Sequence, residues 1–122
     1  MDKTKILYVD DDAALREIVK DQLLSQGFAV DEAEDGVAAI AKLEAGGIDL
    51  LLLDINMPNK SGIDVLKFIK EKSLNCRVIM LTGRVGFSVA TESLKLGADD
   101  YITKPFNMDY LMFAIKRVLE KK

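Results

Sequence analysis

Apolar and polar positions follow one another along this chain in blocks that predict strands and helices in turn. Short apolar runs bounded by polar residues or glycine are typical of buried strands in a parallel sheet. Between these runs, apolar residues recur at the spacing of amphipathic helices, and glycine follows several of them. The pattern predicts five strands, over residues 5–10, 28–32, 49–54, 77–82 and 100–103. It predicts five helices, over residues 13–25, 36–45, 63–72, 87–96 and 108–120.

The same spacing predicts which helix positions are apolar. In the first two helices these positions are Leu15, Ile18, Val19, Leu23, Val37, Ile40, Ala41 and Leu43. In the third helix, the inward residues are Val65, Leu66 and Ile69.

The alternation of strand and helix predicts an α/β fold with a doubly wound, five-stranded parallel sheet. Crossovers between parallel strands are right-handed, so placing helices on both faces requires the winding to reverse once. The order 2-1-3-4-5 meets this requirement and is the flavodoxin-like arrangement. Ligands bind at the carboxyl ends of the strands where the winding reverses, here between strands one and three. Asp10, Asp11 and Asp54 stand at those two ends.

Four of the predicted strands end in polar residues, which are Asp10 with Asp11, Asp54, Thr82 and Lys104. Two carboxylates about 4 Å apart repel by roughly 4 kcal/mol at an effective dielectric constant of about 20. A cluster of three therefore favours a bound cation or raised pKa values. Oxygen ligands in a chain without histidine favour a hard ion such as Mg²⁺. A carboxylate beside such an ion is also an oxygen nucleophile toward phosphorus.

Each of these residues also has a simpler interpretation. Asp11 or Asp12 would cap the first helix, Asp54 would be a turn residue, Thr82 a β-branched strand residue and Lys104 a solvated rim charge. A helix cap does not explain Asp10, which is still at the strand end. The coincidence of all these residues at four strand ends favours a functional site.

Composition narrows the classes of protein further. The chain has 122 residues, which fits one domain, expected to span residues 1–122. Its net charge of −3 gives no basic surface for nucleic acid. The single cysteine, Cys76, makes no internal disulfide, and no apolar run suits a signal peptide or a membrane helix. We therefore expect a cytoplasmic protein that binds neither nucleic acid nor membrane directly.

As a set, the polar motifs resemble the receiver domains of two-component response regulators, over essentially the whole chain. The matching segments are Val9-Asp10-Asp11-Asp12, Asp54-x-x-Met57-Pro58 with Ser61-Gly62, Leu81-Thr82-Gly83, Gly97-Ala98-Asp99-Asp100-Tyr101 and Lys104-Pro105-Phe106. The resemblance implies a CheY-like switch that takes a phosphoryl group from a phosphohistidine on a sensor kinase or phosphotransfer protein. Such a switch is not an enzyme with an external substrate, although it assists its own phosphorylation and dephosphorylation.

The resemblance also implies a role for each matching position. Asp54 would be the phosphoacceptor. Asp11, Asp54 and the backbone carbonyl of Asn56 would hold Mg²⁺ or Mn²⁺, with Asp10 helping directly or through water. Lys104 and Thr82 would contact the phosphoryl oxygens.

Further roles implied by the resemblance concern the switch and the lifetime of the phosphate. Tyr101 would turn inward as Thr82 moves, the alternative being an ordinary aromatic residue at the sheet edge. The Lys104–Pro105 bond would be cis. Asn56 and Arg84 occupy positions that influence how fast the acyl phosphate hydrolyses.

The output surface is expected on the fourth helix, fifth strand and fifth helix. Helical spacing directs Tyr110, Phe113 and Ala114 away from the sheet, and with Ala90 they would form an apolar partner surface. The alternative is that they pack against Ala90 and Leu94. DNA-binding members of this family often dimerise here through charged pairs. In this chain Ala90, Tyr110 and Ala114 occupy positions where those pairs could place charges, although Asp99, Asp100 and Arg117 remain. We therefore expect a monomer or weak dimer that docks another protein.

Two other functions are considered. A phosphohydrolase of the haloacid-dehalogenase type also uses a strand-end aspartate with Mg²⁺, but it typically has a second aspartate where this chain has Asn56. A flavodoxin-like cofactor binder would need a phosphate-binding loop after the first strand. Asp11 and Asp12 would repel a phosphate there unless a metal intervened.

Overall fold

The computed structural model describes residues 3–55, 61–83 and 87–120, excluding the side chains of residues 87–90. Strands and helices alternate throughout these residues. The strands are β1 (Lys5–Val9), β2 (Ala29–Ala33), β3 (Leu50–Asp54), β4 (Arg77–Thr82) and β5 (Asp100–Thr103). The helices are α1 (Ala13–Ser25), α2 (Gly36–Ala45), α3 (Gly62–Glu71), α4 (Phe87–Lys95) and α5 (Met108–Glu120). Among the described residues, no helix is both long and apolar enough to cross a bilayer.

The five strands form one parallel sheet in the order β2-β1-β3-β4-β5, which confirms the predicted fold. β1 and β3 are neighbours, so the residues that follow β1 and those that end β3 share one edge of the sheet. All five residues of β3 are buried, as expected for a central strand covered on both faces.

Each face of the sheet carries its own apolar core, because successive strand residues point to opposite faces. Leu7, Val9, Leu51 and Leu53 join the core formed with α2 and α3. The opposite core, formed with α1 and α5, receives Ile6, Tyr8, Leu50 and Leu52. The sheet is thus a rigid middle layer whose polar strand ends emerge together.

Several element boundaries differ from the prediction by one residue. β1 ends at Val9, because the Asp10 carboxylate accepts the Asp12 N–H at 2.9 Å and turns the chain toward α1. β2 begins at Ala29, because the Phe28 N–H bonds to the Leu23 carbonyl at the end of α1. Shifts of the same size end β2 at Ala33, start β3 at Leu50 and α3 at Gly62, and end α3 at Glu71 and α4 at Lys95.

Some apolar helix positions lie in solvent. The residues Ile18, Val37 and Ala41 are exposed, although helical spacing places them among the apolar positions of α1 and α2. On α1, the fully buried residues are Val19 and Leu23, one turn apart. Only a narrow stripe of each helix therefore reaches the sheet.

Candidate functional site

The predicted polar residues meet at the carboxyl edge of the sheet. Asp54 and Thr82 are the last residues of β3 and β4, Asp10 directly follows β1, and Lys104 directly follows β5. Asp10, Asp54 and Thr82 are buried, which is unusual for such polar side chains and demands partners for them.

Three carboxylates form an acidic cluster at this edge. One oxygen each from Asp10, Asp11 and Asp54 lies within 4.8 Å of the others. Asp10 and Asp54 are buried, whereas Asp11 is exposed. Carboxylate oxygens at this spacing, two of them shielded from water, suit a hard divalent cation such as Mg²⁺. The donor set therefore fits the ion expected from the sequence.

Asp12 caps α1, because its carboxylate accepts the Leu15 N–H at 3.1 Å. The helix-cap interpretation thus holds for Asp12, and Asp10 and Asp11 remain for the cluster.

The Asp10 carboxylate is held by three donors. Its Oδ2 accepts the Tyr8 hydroxyl at 3.0 Å and the Lys104 ammonium at 2.6 Å, and its Oδ1 accepts the Asp12 N–H at 2.9 Å. Burial, followed by the negative charge of Asp10, raises the pKa of Tyr8, so its phenol stays protonated and donates. Tyr8 is a site residue that the sequence did not indicate, because an aromatic residue within an apolar strand suggests core packing alone.

Lys104 connects two of the acids. Its Nζ lies 2.6 Å from Asp10 Oδ2 and 3.4 Å from Asp54 Oδ2. Burial alone would lower the pKa of Lys104, but the hydrogen bond to Asp10 and the charges of Asp54 and Asp10 outweigh it, so the pKa is raised. The ammonium therefore stays charged and offsets part of the acidic cluster.

The backbone around Lys104 fixes its position. Its N–H donates to the Thr82 carbonyl at 2.7 Å, which ties the end of β5 to the end of β4. The Lys104–Pro105 peptide bond is cis.

The end of β3 is closely packed against the start of α3. A Cβ atom built on Gly62 would lie 2.4 Å from the Asp54 carbonyl oxygen and 2.8 Å from the Ile55 Cα. The Gly62 N–H donates to the Ile55 carbonyl at 3.0 Å, and Ser61 caps α3 in a capping box with Asp64. Only glycine allows this approach, so Gly62 sets the position of the Asp54 backbone.

Arg16 supports the other side of the site. Its Nη1 donates to the Asp10 carbonyl at 2.5 Å, and its Nε pairs with Glu32 of β2 at 3.0 Å. Lys20 also pairs with Glu32, at 2.9 Å. Hydrogen bonds from Lys20, which has the larger effect, and from Arg16 lower the pKa of Glu32. The loop after β1 is thereby anchored to the sheet, a role that no sequence motif indicates.

Three of the predicted residues fall outside this description. Asn56 and Arg84 lie outside the described residues. Asn56 is expected as a carbonyl ligand of the metal, and both residues are expected to influence the lifetime of the phosphate. Ala90 belongs to α4, but its side chain is not described. The expectations for these residues stay predictions.

The predicted partner surface is present only in part. Tyr110 and Phe113 are 46% and 59% exposed, and Leu94 of α4 is 48% exposed, so these side chains do not bury one another. Ala114 is fully buried, and its assignment to this surface was wrong. Ala114 belongs to the inward stripe of α5, with Leu111, Ile115 and Val118.

An ion pair joins the start of β5 to α5. Tyr101 is exposed on β5. Arg117 of α5 lies over the Phe113 ring, 5.5 Å from its centroid, and pairs with Asp100 at the start of β5. These contacts hold Phe113 in place at the surface while leaving most of it exposed.

Known proteins are similar to this chain in sequence. Residues 6–116 match the family model of the response regulator receiver domain. The chain is 45% identical over 117 residues to the transcriptional regulatory protein CpxR of Escherichia coli (strain K12), covering 96% of this chain and 50% of that protein. It is 40% identical over 119 residues to the transcriptional regulatory protein ResD of Bacillus subtilis (strain 168), covering 98% and 49%. The chain thus spans about half the length of these relatives.

Two solved structures are also similar. A CheY-like response regulator receiver domain protein from Methanospirillum hungatei JF-1 superimposes with a TM-score of 0.94 at 34% identity, covering 98% of this chain and 95% of that one. The response regulator TrrA from Thermotoga maritima, in complex with Mg²⁺-BeF, gives a TM-score of 0.85 at 36% identity, covering 94% and 98%.

Proposed function

This chain belongs to the response regulator receiver domain family, and we propose that it is a phosphorylation-dependent switch with Asp54 as its phosphoacceptor. The observation that carries this proposal is the position of the Lys104 ammonium, between the buried carboxylates of Asp10 and Asp54. A cationic donor at that place suits phosphoryl oxygens attached to Asp54.

The phosphoryl donor would be a phosphohistidine on a sensor histidine kinase or a phosphotransfer protein. An Asp54 carboxylate oxygen attacks phosphorus, the P–N bond breaks, and its electron pair goes to the imidazole nitrogen. The product is an acyl phosphate on Asp54, which water later hydrolyses. The chain assists both steps and turns over no external substrate.

The acidic cluster would hold the metal ion that this chemistry needs. Asp10, Asp11 and Asp54 supply carboxylate oxygens for Mg²⁺ or Mn²⁺, and the family resemblance adds the backbone carbonyl of Asn56. When bound, the ion offsets the charge that phosphoryl oxygens would add beside the carboxylates.

The response of the switch would begin at Lys104 and Thr82. The ammonium leaves Asp10 to pair with a phosphoryl oxygen, and the Thr82 hydroxyl donates to another. Because the Lys104 N–H is bonded to the Thr82 carbonyl, the ends of β4 and β5 would move together. Tyr101, on β5, would then turn inward and change the surface of α4, β5 and α5.

We propose that this surface binds a protein partner through Tyr110 and Phe113. Both aromatic side chains are exposed on α5, and Phe113 lies under Arg117, which pairs with Asp100 of β5; this link to β5 supports the assignment. Ala90 remains a candidate member, whereas Ala114 is excluded by its burial. The free chain would be a monomer or weak dimer, because Ala90 and Tyr110 occupy positions where related DNA-binding proteins could place paired charges. Asp99, Asp100 and Arg117 remain, but Arg117 pairs with Asp100 of the same chain.

We further propose that residues 1–122 act as one receiver domain in the cytoplasm. CpxR and ResD are named as transcriptional regulatory proteins, so gene regulation is one output to consider. The net charge of −3 favours a protein rather than DNA as the direct contact of these residues.

The phosphoacceptor is tested by incubating the protein with acetyl phosphate and Mg²⁺ and recording its intact mass. The wild type should gain one phosphoryl group, and Asp54→Asn should gain none. Asp21→Asn, an exposed substitution on α1, is the matched control and should behave like the wild type. Equal phosphate uptake by Asp54→Asn would refute the assignment. Turnover of p-nitrophenyl phosphate would instead indicate a phosphohydrolase.

The role of Lys104 is tested by separating phosphate uptake from the response. Lys104→Ala should still be phosphorylated, but amide NMR shifts of β5 and α5 should change little on phosphorylation. Lys70→Ala, an exposed site on α3, is the control. A full response in phosphorylated Lys104→Ala would contradict this role.

The partner surface is tested with the double variant Tyr110→Ala, Phe113→Ala. It should be phosphorylated normally and lose most of its affinity for the phosphorylation-dependent partner. Unchanged affinity would place the output surface elsewhere.

A further inference from the structure

Tyr8 brings a hydroxyl group into an otherwise apolar core. Its side chain is fully buried with α1 and α5, and in the sheet it stands between Glu32 and Leu52. An apolar residue would fill this space without needing a hydrogen bond. The buried hydroxyl needs an acceptor, and it donates to Asp10.

This hydrogen bond changes what Asp10 can offer to a cation. A carboxylate oxygen has about two acceptor positions. Tyr8 and Lys104 both donate to Oδ2, at 3.0 and 2.6 Å, and so occupy that oxygen. Oδ1 accepts the Asp12 N–H, and no second donor among the described residues reaches it. Asp10 therefore has acceptor capacity on one oxygen only.

Tyr8 is also the more permanent of the two donors on Oδ2. The Lys104 ammonium is at the end of a long side chain, and in the proposed switch it leaves Asp10 on phosphorylation. Tyr8 is fixed by the packing of β1 between two neighbouring strands. Its hydroxyl would remain on Asp10 in either state, so one of the two acceptor positions of Oδ2 stays occupied after Lys104 leaves.

We propose that Tyr8 is a positioning residue that makes Asp10 a one-oxygen ligand and thereby favours Mg²⁺ over Ca²⁺. This inference rests on the cation site of the proposed function. Mg²⁺ binds six ligands in a compact octahedron and keeps several waters, so one oxygen per carboxylate is enough. Ca²⁺ takes six to eight oxygens and often binds both oxygens of one carboxylate. Blocking Oδ2 therefore disfavours Ca²⁺ more than Mg²⁺.

The test measures the binding of each ion to the unphosphorylated protein, with amide NMR shifts recorded during the titration. Tyr8→Phe removes only the hydroxyl, and it should raise the affinity for Ca²⁺ relative to Mg²⁺ about tenfold. Changing a residue bonded to a metal ligand typically alters metal affinity by about 10- to 100-fold, and the expected change in the ratio is at the lower end of that range. Ile6→Val is the matched control, because Ile6 is fully buried in the same core on the same strand. It should leave the ratio of the two affinities unchanged.

A second variant guards against an indirect effect of packing. Tyr8→Leu removes the same hydroxyl with a side chain of different shape, and it should shift the ratio in the same direction. If the wild type binds Mg²⁺ and both variants keep its ratio within about twofold, this inference fails alone. If the wild type binds neither ion, the proposed cation site fails and takes this inference with it.

Discussion

Gly62→Ala tests whether the start of α3 fixes Asp54, the proposed phosphoacceptor, in place. The new Cβ would lie 2.4 Å from the Asp54 carbonyl oxygen and 2.8 Å from the Ile55 Cα, closer than the 3.0 Å that real Cβ atoms keep. Both obstacles are backbone atoms, which cannot rotate away. Either α3 or the end of β3 must therefore move by at least about half an ångström, judged against the usual limits of close packing.

The size of the effect follows from two opposed contributions. Overpacking of this kind costs typically 1–3 kcal/mol, and a backbone obstacle on the central strand puts it near the upper end. Alanine regains up to about 1 kcal/mol over glycine within a helix. The net loss is about 2 kcal/mol, which lowers Tm by roughly 6–10 °C for a domain of this size. Displacing a reacting group by about 1 Å costs roughly a hundredfold in rate, so phosphorylation should slow about tenfold.

The assays are thermal unfolding by circular dichroism and initial phosphorylation rates with acetyl phosphate and Mg²⁺. Gly83→Ala is the stability control, because a Cβ on Gly83 meets nothing within 4 Å. Its Tm should stay within about 2 °C of wild type, as for exposed sites in general. If Gly62→Ala keeps both the Tm and the phosphorylation rate of the wild type, α3 does not position Asp54.

Three further predictions concern the charges and the thiol. Asp11→Ala should weaken Mg²⁺ binding by roughly tenfold or more while keeping the fold, since it removes a proposed ligand and some carboxylate repulsion. Unfolding of this variant would show a structural role instead. Because the pKa of Glu32 is lowered from its ordinary 4.5, its ion pairs stabilise the fold above about that pH and are lost as the pH falls through the folded-state pKa. As the pH is lowered, the free energy of unfolding should therefore fall less steeply in Glu32→Gln than in the wild type. The same decrease in both proteins would contradict the ion pairs of Glu32. Burial raises the pKa of the Cys76 thiol to about 12 from an ordinary 9.0. At pH 8, a thiol reagent should therefore react on the order of a thousandfold more slowly with the folded protein than with the urea-unfolded protein, because less thiolate is present. Equal rates in the two states would refute the burial of this thiol.

Much of the fold could be predicted because local pattern and tertiary structure agree. The bounds of α1, α2, β4, β5 and α5 match the prediction. Apolar runs identify the strands, and right-handed crossovers leave few sheet orders. The same topology brings Asp10, Asp11 and Asp54 together, so the acidic cluster follows from sequence and geometry alone.

The features that could not be predicted depend on atoms brought together only by folding. Periodicity treats Tyr8 as one more apolar residue and cannot show where its hydroxyl goes. The tight approach at Gly62 exists only once β3 and α3 are packed. Ala114 was misassigned because a small residue at the border of a helix face can be covered completely by its larger neighbours.

The hydrogen bond from the Lys104 N–H to the Thr82 carbonyl has a consequence for regulation, since it joins the end of β4 to the end of β5, a strand of the proposed output surface. If phosphorylation changes the affinity of that surface for a partner, thermodynamic reciprocity requires the partner to change the equilibrium extent of phosphorylation by the same factor. A partner that binds the phosphorylated form about tenfold more tightly therefore shifts that equilibrium about tenfold. The abundance of the partner then helps to set the signal that it receives.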